Sequence, residues 1–231
     1  TSSVMFFQLG FAWLLPGIMK GLYNYEPYFS YFWPLDYDAI FPATLNYFQT
    51  QGAFGTFFIF WGLIMAFVAT PVLTYFFGKR WYCSWVCGCG GLAETAGDPF
   101  RHLSDKSMKR WMIHSVLAAI ILITVLLLVD NAFKNELLGS SAKGIAKGYS
   151  FVIGMVFSGV VGVGFYPIMG SRVWCRFGCP MAAYMGLIQR FKSRFRITTN
   201  GAQCISCGNC STYCEMGIDV RAYAQKGQNI V

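Results

Sequence analysis

The chain has 231 residues, of which 55% are hydrophobic and only 12% are charged, and its formal net charge is +8. An ordinary soluble domain has about 25% charged residues, so this composition argues against a soluble protein and predicts a membrane protein. The positive charge does not predict nucleic-acid binding, because the lysines and arginines flank apolar stretches and form no separate patch.

Four apolar stretches are long enough, or nearly long enough, to cross a bilayer as helices, which takes about 20 residues. They cover residues 4–19, 53–77, 111–129 and 149–169. We therefore expect an all-α membrane protein with four transmembrane helices, of which the first is short and carries Pro16 next to Gly17. Since the chain begins at Thr1 and stops at Val231 without an obvious terminator, we expect it to be part of a longer polypeptide.

The lysines and arginines are divided unequally between the two sides of this predicted bundle. Fourteen of the 18 fall on the side that holds the cysteine motifs, and the other four are Lys20, Lys134, Lys143 and Lys147. Cytoplasmic connections carry the excess of positive charge, so we expect the cysteine motifs on the cytoplasmic face of a bacterial inner membrane. The aromatic-rich connection 22–51 has no lysine or arginine. We interpret it as an aromatic belt at the outer interface or, alternatively, as a surface for quinol or an outer partner.

A short segment occurs twice, each time after an apolar stretch. Residues 78–88 recur 92 positions later as 170–180, and the glycine, the arginine and both cysteines of a C-x3-C motif match without a gap. In a helix, cysteines four positions apart share a face. Since the second and fourth predicted helices run in the same direction, an axis along the membrane normal would bring the two motifs face to face. We predict a metal centre, or a redox-active pair of dithiols, at the membrane edge, formed by Cys83, Cys87, Cys175 and Cys179.

One cysteine and three arginines accompany these pairs. Cys89 has no counterpart, because Met181 stands at the matching position of the second copy, and it is either a buried thiol or an additional ligand. Arg80, Arg172 and Arg176 would stabilise negative charge on thiolates or a cluster, and they are equally what a positively charged cytoplasmic face requires.

The two histidines, His102 and His114, both fall near the cytoplasmic start of the third predicted helix. Haem ligands approach the iron from opposite sides, so two histidines this close in one helical segment do not predict haem. One of them could exchange protons with a quinone, or both could be interfacial residues satisfied by their neighbours. The nearby carboxylates could share in that proton transfer or be solvated; they are Glu94, Asp98 and Asp105.

A different cysteine motif follows the last apolar stretch. It has the spacing C-x2-C-x2-C-x3-C, with which ferredoxins hold iron–sulfur clusters, and consists of Cys204, Cys207, Cys210 and Cys214. We expect the first three to bind one [4Fe-4S] cluster, and Cys214 either to complete that cluster or to serve a second module beyond Val231. Glu215 stands where ferredoxins normally have proline. Zinc also takes four thiolates, but usually from two separated C-x2-C pairs, so the spacing favours an iron–sulfur cluster. Free thiolates of this kind predict that the motif lies on a reducing side of the membrane.

With these motifs, the chain from about residue 53 to residue 219 resembles the membrane iron–sulfur proteins of the NapH and NosR kind. The resemblance rests on the two C-x3-C pairs, the second followed by Pro180, and on the ferredoxin-type motif. It implies a quinol dehydrogenase or an electron conduit that serves a periplasmic reductase or cytochrome. The chain departs from the family pattern because Gly88 replaces the first proline, Cys89 is added, and residues 1–231 hold no second ferredoxin-type motif.

These features predict a four-helix transmembrane domain, residues 1–197, with cysteine segments 78–91 and 170–181 at its cytoplasmic edge, and a ferredoxin-like segment, residues 198–231. We predict a multi-pass subunit that passes electrons between membrane quinol and a partner redox protein, with at least one [4Fe-4S] cluster. The expected partners are membrane lipid, quinone and other subunits of a respiratory redox complex, and no nucleic acid. The alternative is a copper-handling, metal-handling or thiol-redox assembly factor for a respiratory oxidase, because soft thiolates suit copper(I).

Overall fold

The computed structural model describes residues 2–18, 29, 32–36, 42–104, 121–129 and 140–228, and the regular elements in these ranges are helices. In chain order they are α1 (Ser2–Gln8, continued by a π-helical stretch Leu9–Leu14 and by Leu15–Ile18), α2 (Pro42–Thr50), α3 (Ala53–Phe77), α4 (Trp81–Trp85), α5 (Gly88–Thr95), α6 (121–129), α7 (Ser140–Tyr149, continued by Ser150–Val161 and Gly162–Gly164), α8 (Val173–Phe177), α9 (Pro180–Lys192), α10 (Asn209–Thr212) and α11 (Val220–Gln225). Shorter helical turns lie at Asp98–Leu103, Tyr166–Met169 and Gly201–Gln203. The predicted helical class is therefore confirmed for the described residues.

Helix α3 has the length and composition of a membrane span. It runs for 25 residues without a charged side chain, and its most apolar window has a mean hydropathy of 2.1. A π-helical stretch, Met65–Ala69, lies in its middle, and the hydroxyl of Thr70 donates to the carbonyl of Met65 at 2.6 Å. Helix α3 coincides with the second predicted span.

The prediction of four membrane-spanning helices is not supported, because α3 is the one helix in the described ranges that is long and apolar enough to cross a bilayer. The first predicted span is helical, but its apolar part is the shorter helix Ser2–Phe11. Most of the third lies outside the described residues, which resume at 121–129. The fourth is interrupted, since Phe165 leaves helical geometry two residues before Pro167, which cannot donate a helix hydrogen bond.

The repeated segment begins with the same backbone turn in both copies. Gly78 ends α3 with φ 76° and ψ 175°, and Gly170 ends the turn Tyr166–Met169 with φ 81° and ψ 177°. Residues with a side chain rarely adopt this conformation, so both positions require glycine. A Cβ at Gly170 would also lie 2.5 Å from the backbone nitrogen of Ser104. The short helices α4 and α8 follow these turns and lead into α5 and α9.

Helix α9 is fixed along α3 by three hydrogen bonds spread over its length. The hydroxyl of Tyr184 donates to the carbonyl of Ala66 at 3.2 Å, and Gln189 accepts from the backbone N–H of Lys79 at 2.9 Å. At the end of α9, the buried hydroxyl of Ser193 donates to a backbone carbonyl of α3 at 3.0 Å. These bonds hold α9, which follows the second copy of the repeat, against α3 and the start of the first copy.

The core of this region is built around the cysteines of the repeat. One cluster of buried side chains contains all four C-x3-C cysteines together with Phe32, Ala66, Trp81, Tyr82, Trp174, Met181 and Met185. Phe32 is 1% exposed and meets Tyr82 edge to face, with 5.8 Å between the ring centroids. The cysteine site is therefore part of the hydrophobic core.

Two described aromatic residues before α2, Phe32 and Trp33, pack on the cysteine core. Phe32 packs into the cysteine core, and the ring of Trp33 lies 5.8 Å from Phe67 and 5.9 Å from Tyr184. Large aromatic side chains are stabilised by burial and by edge or stacked ring contacts. The position of the aromatic segment relative to a membrane interface stays a prediction.

Candidate functional site

Each C-x3-C motif is a short helix followed by a turn, so its cysteines do not share one continuous helical face as the spacing predicts. Cys83 lies in α4 and Cys175 in α8. Cys87 and Cys179 have extended backbone, with φ −76° and ψ 126° in the first case and φ −77° and ψ 115° in the second. They are the N-cap residues of α5 and α9. Each motif therefore presents one cysteine from a helix and one from the start of the next helix.

The four cysteines of the two motifs lie together in one buried site. Cys83, Cys87, Cys175 and Cys179 are 6%, 7%, 4% and 7% exposed. Cys83 is hydrogen-bonded to Cys175, which joins the first copy of the repeat to the second. The structure thus brings together the residues that the sequence assigns to one centre, and their role as metal ligands stays a prediction.

Protons are shared unequally between neighbouring thiols in this site. The hydrogen bond with Cys89 lowers the pKa of Cys87 to about 7 against the effect of burial, helped by backbone N–H groups and by the charge of Arg172. The hydrogen bond with Cys83 lowers the pKa of Cys175 in the same way. The same hydrogen bonds, together with burial, raise the pKa of Cys83 and of Cys89. In each copy of the repeat, one cysteine is therefore the more easily ionised to a thiolate: Cys87 in the first copy and Cys175 in the second.

Cys89 makes the first copy of the repeat chemically different from the second. The thiol of Cys89 is hydrogen-bonded to the thiol of Cys87. The residue at the matching position of the second copy, Met181, is an apolar side chain that is fully buried. The adjacent Gly90 lets α5 approach α4, since a Cβ there would lie 1.6 Å from the carbonyl oxygen of Cys83. Cys89 is thus a hydrogen-bond partner within the site, and its use as an additional ligand stays a prediction.

The ferredoxin-type motif lies in an open segment. Cys204 and Cys214 are half-buried, whereas Cys207 and Cys210 are exposed. Gly208 has a left-handed φ of 80° and turns the chain between the two exposed cysteines into α10. The four thiols are therefore presented on turns, in contrast to the buried cysteines of the repeat.

This segment is held by hydrogen bonds more than by an apolar core. Between residues 201 and 228, Ser211 is the one residue that is buried. Its hydroxyl donates to Asp219 at 2.8 Å and accepts from the backbone N–H of Arg221 at 2.8 Å. Asp219 caps α11 by accepting from the N–H of Ala222 at 3.3 Å. Small segments with so little core are often ordered by a bound metal or cluster, and we expect the same here.

The donor set of the open segment fits a [4Fe-4S] cluster, which takes four cysteine thiolates, one on each iron. Across the described ranges, no three His, Cys, Asp or Glu side chains are grouped as the ligands of a single metal ion would be. Thiolates around a cluster bind different irons and therefore need not meet at one point. The number, spacing and open placement of the cysteines in 204–214 meet this requirement.

Glu215, directly after the last cysteine of the motif, joins the open segment to the buried site. Its carboxylate accepts from Nε of Arg172 and pairs with Arg101 at 3.1 Å and with Arg80 at 3.5 Å. Nη2 of Arg172 donates in turn to Glu94 at 2.8 Å. The carboxylate of Glu215 therefore pairs with the equivalent arginine of each copy of the repeat, Arg80 in the first and Arg172 in the second.

Arg172 is held in an unusual position for a charged residue. Its side chain is 2% exposed, and its backbone is left-handed, with φ 60° and ψ 31°. This conformation costs a residue with a side chain about 1–2 kcal/mol, so the surrounding contacts must hold it. Burial opposes the charge on both partners, but their attraction prevails. It raises the pKa of Arg172 and, with Arg80 and Arg101, lowers the pKa of Glu215.

Sequence reasoning missed the roles of Glu215, Glu94 and Arg101. Two signals were present: a glutamate in the place of the usual ferredoxin proline, and matching arginines, Arg80 and Arg172, three residues before each first cysteine. Their combination would have predicted a pairing of that glutamate with the repeated arginines.

The remaining predicted site residues are not brought into this network by any contact described above. Arg176 is buried, and its Nη1 donates to the carbonyl of Met169 at 3.0 Å, while its guanidinium lies 4.6 Å from the ring centre of Phe177. His102 is exposed, and His114 lies outside the described residues. A quinone contact through either histidine stays a prediction.

The fold and the two cysteine groups define a helical iron–sulfur protein. Residues 56–107 and 150–198 match a family model described as a 4Fe-4S binding domain, and each match contains one C-x3-C pair. The chain thus carries a 4Fe-4S binding domain, and the predicted [4Fe-4S] cofactor is confirmed. The two matches cover both copies of the repeat and end before the motif at 204–214.

The chain is also similar to two curated proteins. It is 28% identical over 170 residues to YccM of Escherichia coli strain K12, described as a candidate electron transport protein, across 68% of this chain and 46% of YccM. It is 30% identical over 164 residues to the methylamine utilization ferredoxin-type protein MauN of Methylobacillus flagellatus, across 64% of this chain and 54% of MauN. The chain spans about half the length of these relatives. No solved structure matches it.

Proposed function

We propose that the protein is an inner-membrane iron–sulfur electron-transfer subunit of the NapH and NosR kind, which passes electrons between membrane quinol and a partner redox protein. In this proposal the open motif holds one [4Fe-4S] cluster, and the four buried cysteines hold a second iron–sulfur centre. The observation that carries the proposal is the connection of two cysteine groups by one ion-pair network through Glu215. The similarity to YccM and MauN supports the same class of protein.

When bound, a [4Fe-4S] cluster accepts or gives up one electron at a time, at a potential that depends on nearby charges, hydrogen bonds and solvent. The chain supplies the ligands and the electrostatic surroundings. Arg80, Arg101 and Arg172 place positive charge beside the last cysteine of the motif, which favours the more negative, reduced state, while Glu215 offsets part of that charge. Around the buried cysteines, apolar side chains such as Trp174 exclude water.

The exposed edge of the open segment suits a redox partner. Ile205 is 86% exposed and Tyr213 is 68% exposed, next to the exposed thiols of Cys207 and Cys210. Apolar side chains on a segment with so little core of its own are candidates for contact with another protein. We place the docking of the partner at this edge, and the quinol side at the membrane edge of the buried cysteines.

The membrane location is supported by the surface of α3. Only 17% of its most apolar window is buried within the protein, and large apolar side chains project from it on several sides. Phe57, Phe60, Phe67 and Phe76 are 48%, 60%, 53% and 53% exposed. An apolar surface of this kind is stable in lipid and unfavourable in water.

The test of this function is the reduction of the anaerobically purified protein by a quinol analogue, followed by visible absorbance and EPR. We expect quinol oxidation to accompany reduction of the clusters, and Cys210→Ser to remove the signal of the open-segment cluster. Clusters that chemical reductants reduce but quinol does not would contradict the quinol partner. Clusters that no reductant changes would contradict electron transfer altogether.

A metal-handling or thiol-redox assembly factor is the second candidate function. The hydrogen-bonded thiols of Cys83 and Cys175 favour it, because paired soft thiols suit copper(I). Copper(I) titration of the wild type and of Cys83→Ser distinguishes the two candidates. Stoichiometric copper binding that is lost in the variant, with no effect on quinol oxidation, would select the assembly factor.

A further inference from the structure

Equivalent arginines from both copies of the repeat converge on one carboxylate outside the repeat. Arg80 and Arg172 each stand three residues before the first cysteine of their C-x3-C motif, and both pair with Glu215. The two arginines have different backbone conformations, right-handed at Arg80 and left-handed at Arg172. The left-handed turn at Arg172 accompanies a buried side chain that reaches the same carboxylate. The two equivalent arginines of the repeat therefore both pair with the carboxylate of Glu215.

The ion pairs around this carboxylate join several charged residues of the described ranges. Its cations are Arg80, Arg101 and Arg172, and its anions are Glu94, Asp98 and Glu215. The pairs at Arg172 are buried on the arginine side, at 2% exposure, whereas Arg80 and Arg101 are 42% and 37% exposed. Buried pairs are costly to break when only one partner is removed, and the exposed pairs are weakened by salt. The network thus has a buried centre and a salt-sensitive rim.

The open segment needs an external contact to fix its orientation. Residues 201–228 bury one residue, Ser211, whose hydroxyl bonds to Asp219 and to the N–H of Arg221 within the segment. Three arginines from outside the segment, by contrast, reach it at Glu215. Because Glu215 adjoins Cys214, ion pairs that hold this carboxylate restrain the backbone next to a cysteine of the ferredoxin-type motif.

We propose that Glu215 is a positioning residue that seats residues 201–228 on the buried cysteine site, with Arg80 and Arg172 as paired anchors from the two copies of the repeat. This inference rests on the proposed function in one respect, since it concerns the relative placement of the two cysteine groups that the function uses. Arg172 connects them directly, because it bonds to Glu215 beside Cys214 and lies three residues before Cys175.

The experiment is hydrogen–deuterium exchange of the purified full chain, read by mass spectrometry at low and high salt, for the wild type, Glu215→Gln and Asp98→Asn. Glutamine keeps the shape of Glu215 and removes its charge. Asp98→Asn is the matched control, because it neutralises a carboxylate at the exposed rim that pairs with Arg101 at 2.5 Å. Iron and sulfide are measured on the same samples.

We expect Glu215→Gln to retain iron and sulfide while peptides from 201–228 exchange about tenfold faster than in the wild type, with α3 and α9 unchanged. High salt should accelerate exchange of this segment in the wild type and in Asp98→Asn, and have little further effect in Glu215→Gln. Wild-type protection and wild-type salt sensitivity in Glu215→Gln would overturn the proposal.

A milder variant covers the case in which Glu215→Gln unfolds as a whole, which faster exchange in α3 would reveal. Arg80→Gln removes the most exposed anchor and should accelerate exchange in 201–228 alone, by a smaller factor. Wild-type exchange in Arg80→Gln would then overturn the proposal. Failure of the proposed function is seen separately, as clusters that quinol does not reduce, and does not alter these exchange rates.

Discussion

The two cysteine groups of this protein are placed in opposite surroundings. The C-x3-C cysteines of the repeat lie inside the main core cluster and are less than a tenth exposed, whereas two of the four cysteines at 204–214 are fully on the surface. The first group is positioned by helices α4, α5, α8 and α9 and the side chains packed around them. The second is positioned by turns, a few hydrogen bonds and Glu215.

This difference shows which of the two cysteine groups the fold can position without a bound cofactor. Burial of aromatic and methionine side chains supplies folding energy around the repeat whether or not a metal is bound. The open segment has no comparable core, so we expect its order to depend on the predicted cluster and on the ion pairs of Glu215. Variants in the two regions should therefore fail in different ways: globally in the repeat and locally in the open segment.

The largest expected effect is the loss of the open-segment cluster in Cys210→Ser. Without this ligand, residues 201–228 should lose iron and most of their exchange protection, while α3 and α9 keep theirs. Iron analysis and hydrogen–deuterium exchange measure the two effects. Cys89→Ser, which alters a thiol of the buried region, is the control and should leave this segment protected. Full exchange protection of residues 201–228 in iron-depleted Cys210→Ser would contradict the expected difference between the two regions.

A methyl group at Gly90 should destabilise the buried region by about 3 kcal/mol, at the upper end of the usual cost of overpacking. Its Cβ would lie 1.6 Å from the carbonyl oxygen of Cys83, so α4 and α5 would have to separate. Gly88→Ala is the matched control, since its nearest neighbour is the side chain of Gln8 at 3.7 Å. Denaturant unfolding of both variants measures the free energy of unfolding, and equal stability would contradict the close packing of the two helices.

Ser193→Ala should lower the free energy of unfolding by about 1–2 kcal/mol, because buried backbone groups would lose their partner. The hydroxyl donates to the carbonyls of Thr74 and Tyr75 at 3.0 and 3.1 Å and accepts from the N–H of Phe195 at 3.0 Å. The effect should be global, because Ser193 fixes the end of α9 to α3. A loss confined to residues 201–228 would show that the boundary between the two regions lies before Ser193.

The smallest expected effect is the loss of a helix cap in Asp219→Ala. Removing an N-cap carboxylate costs about 1 kcal/mol, and here it also removes the partner of the Ser211 hydroxyl. Amide exchange should accelerate about fivefold in Val220–Gln225. The thermal unfolding of α3 and α9 should not change, and a global shift in that transition would contradict the local character of the open segment.

Much of the buried site could be predicted from the sequence because its signals are local and repeated. The duplicated glycine, arginine and cysteines indicated one site built from two halves, and both glycines adopt the conformation that only glycine adopts readily. The turn within each motif was not predictable from a spacing of four, which fits a helix equally well. The N-cap position of Cys179 had a local signal, because Pro180 follows it and proline is favoured at the first position of a helix; Cys87, followed by Gly88, had no such signal.

Long-range contacts account for most of what the sequence did not predict. Hydropathy does not reveal the packing of Phe32 beside Tyr82, whereas the interruption at Phe165 had a local signal in Pro167. The pairing of Glu215 with Arg80 and Arg172 joins residues far apart in the chain, and no local pattern reports such distances. The cysteine spacing at 204–214, in contrast, is a local signal, so a [4Fe-4S] cofactor was predictable, while its binding at this motif stays a prediction.

The central claim is that the two cysteine groups form two separate centres, and the most direct test is iron and sulfide analysis of anaerobically purified Cys83→Ser, with the motif at 204–214 intact. Four-iron clusters at both sites predict that this variant loses about half of the iron and sulfide of the wild type and keeps the EPR signal of the open-segment cluster. Unchanged iron and sulfide in a folded Cys83→Ser protein would contradict the claim.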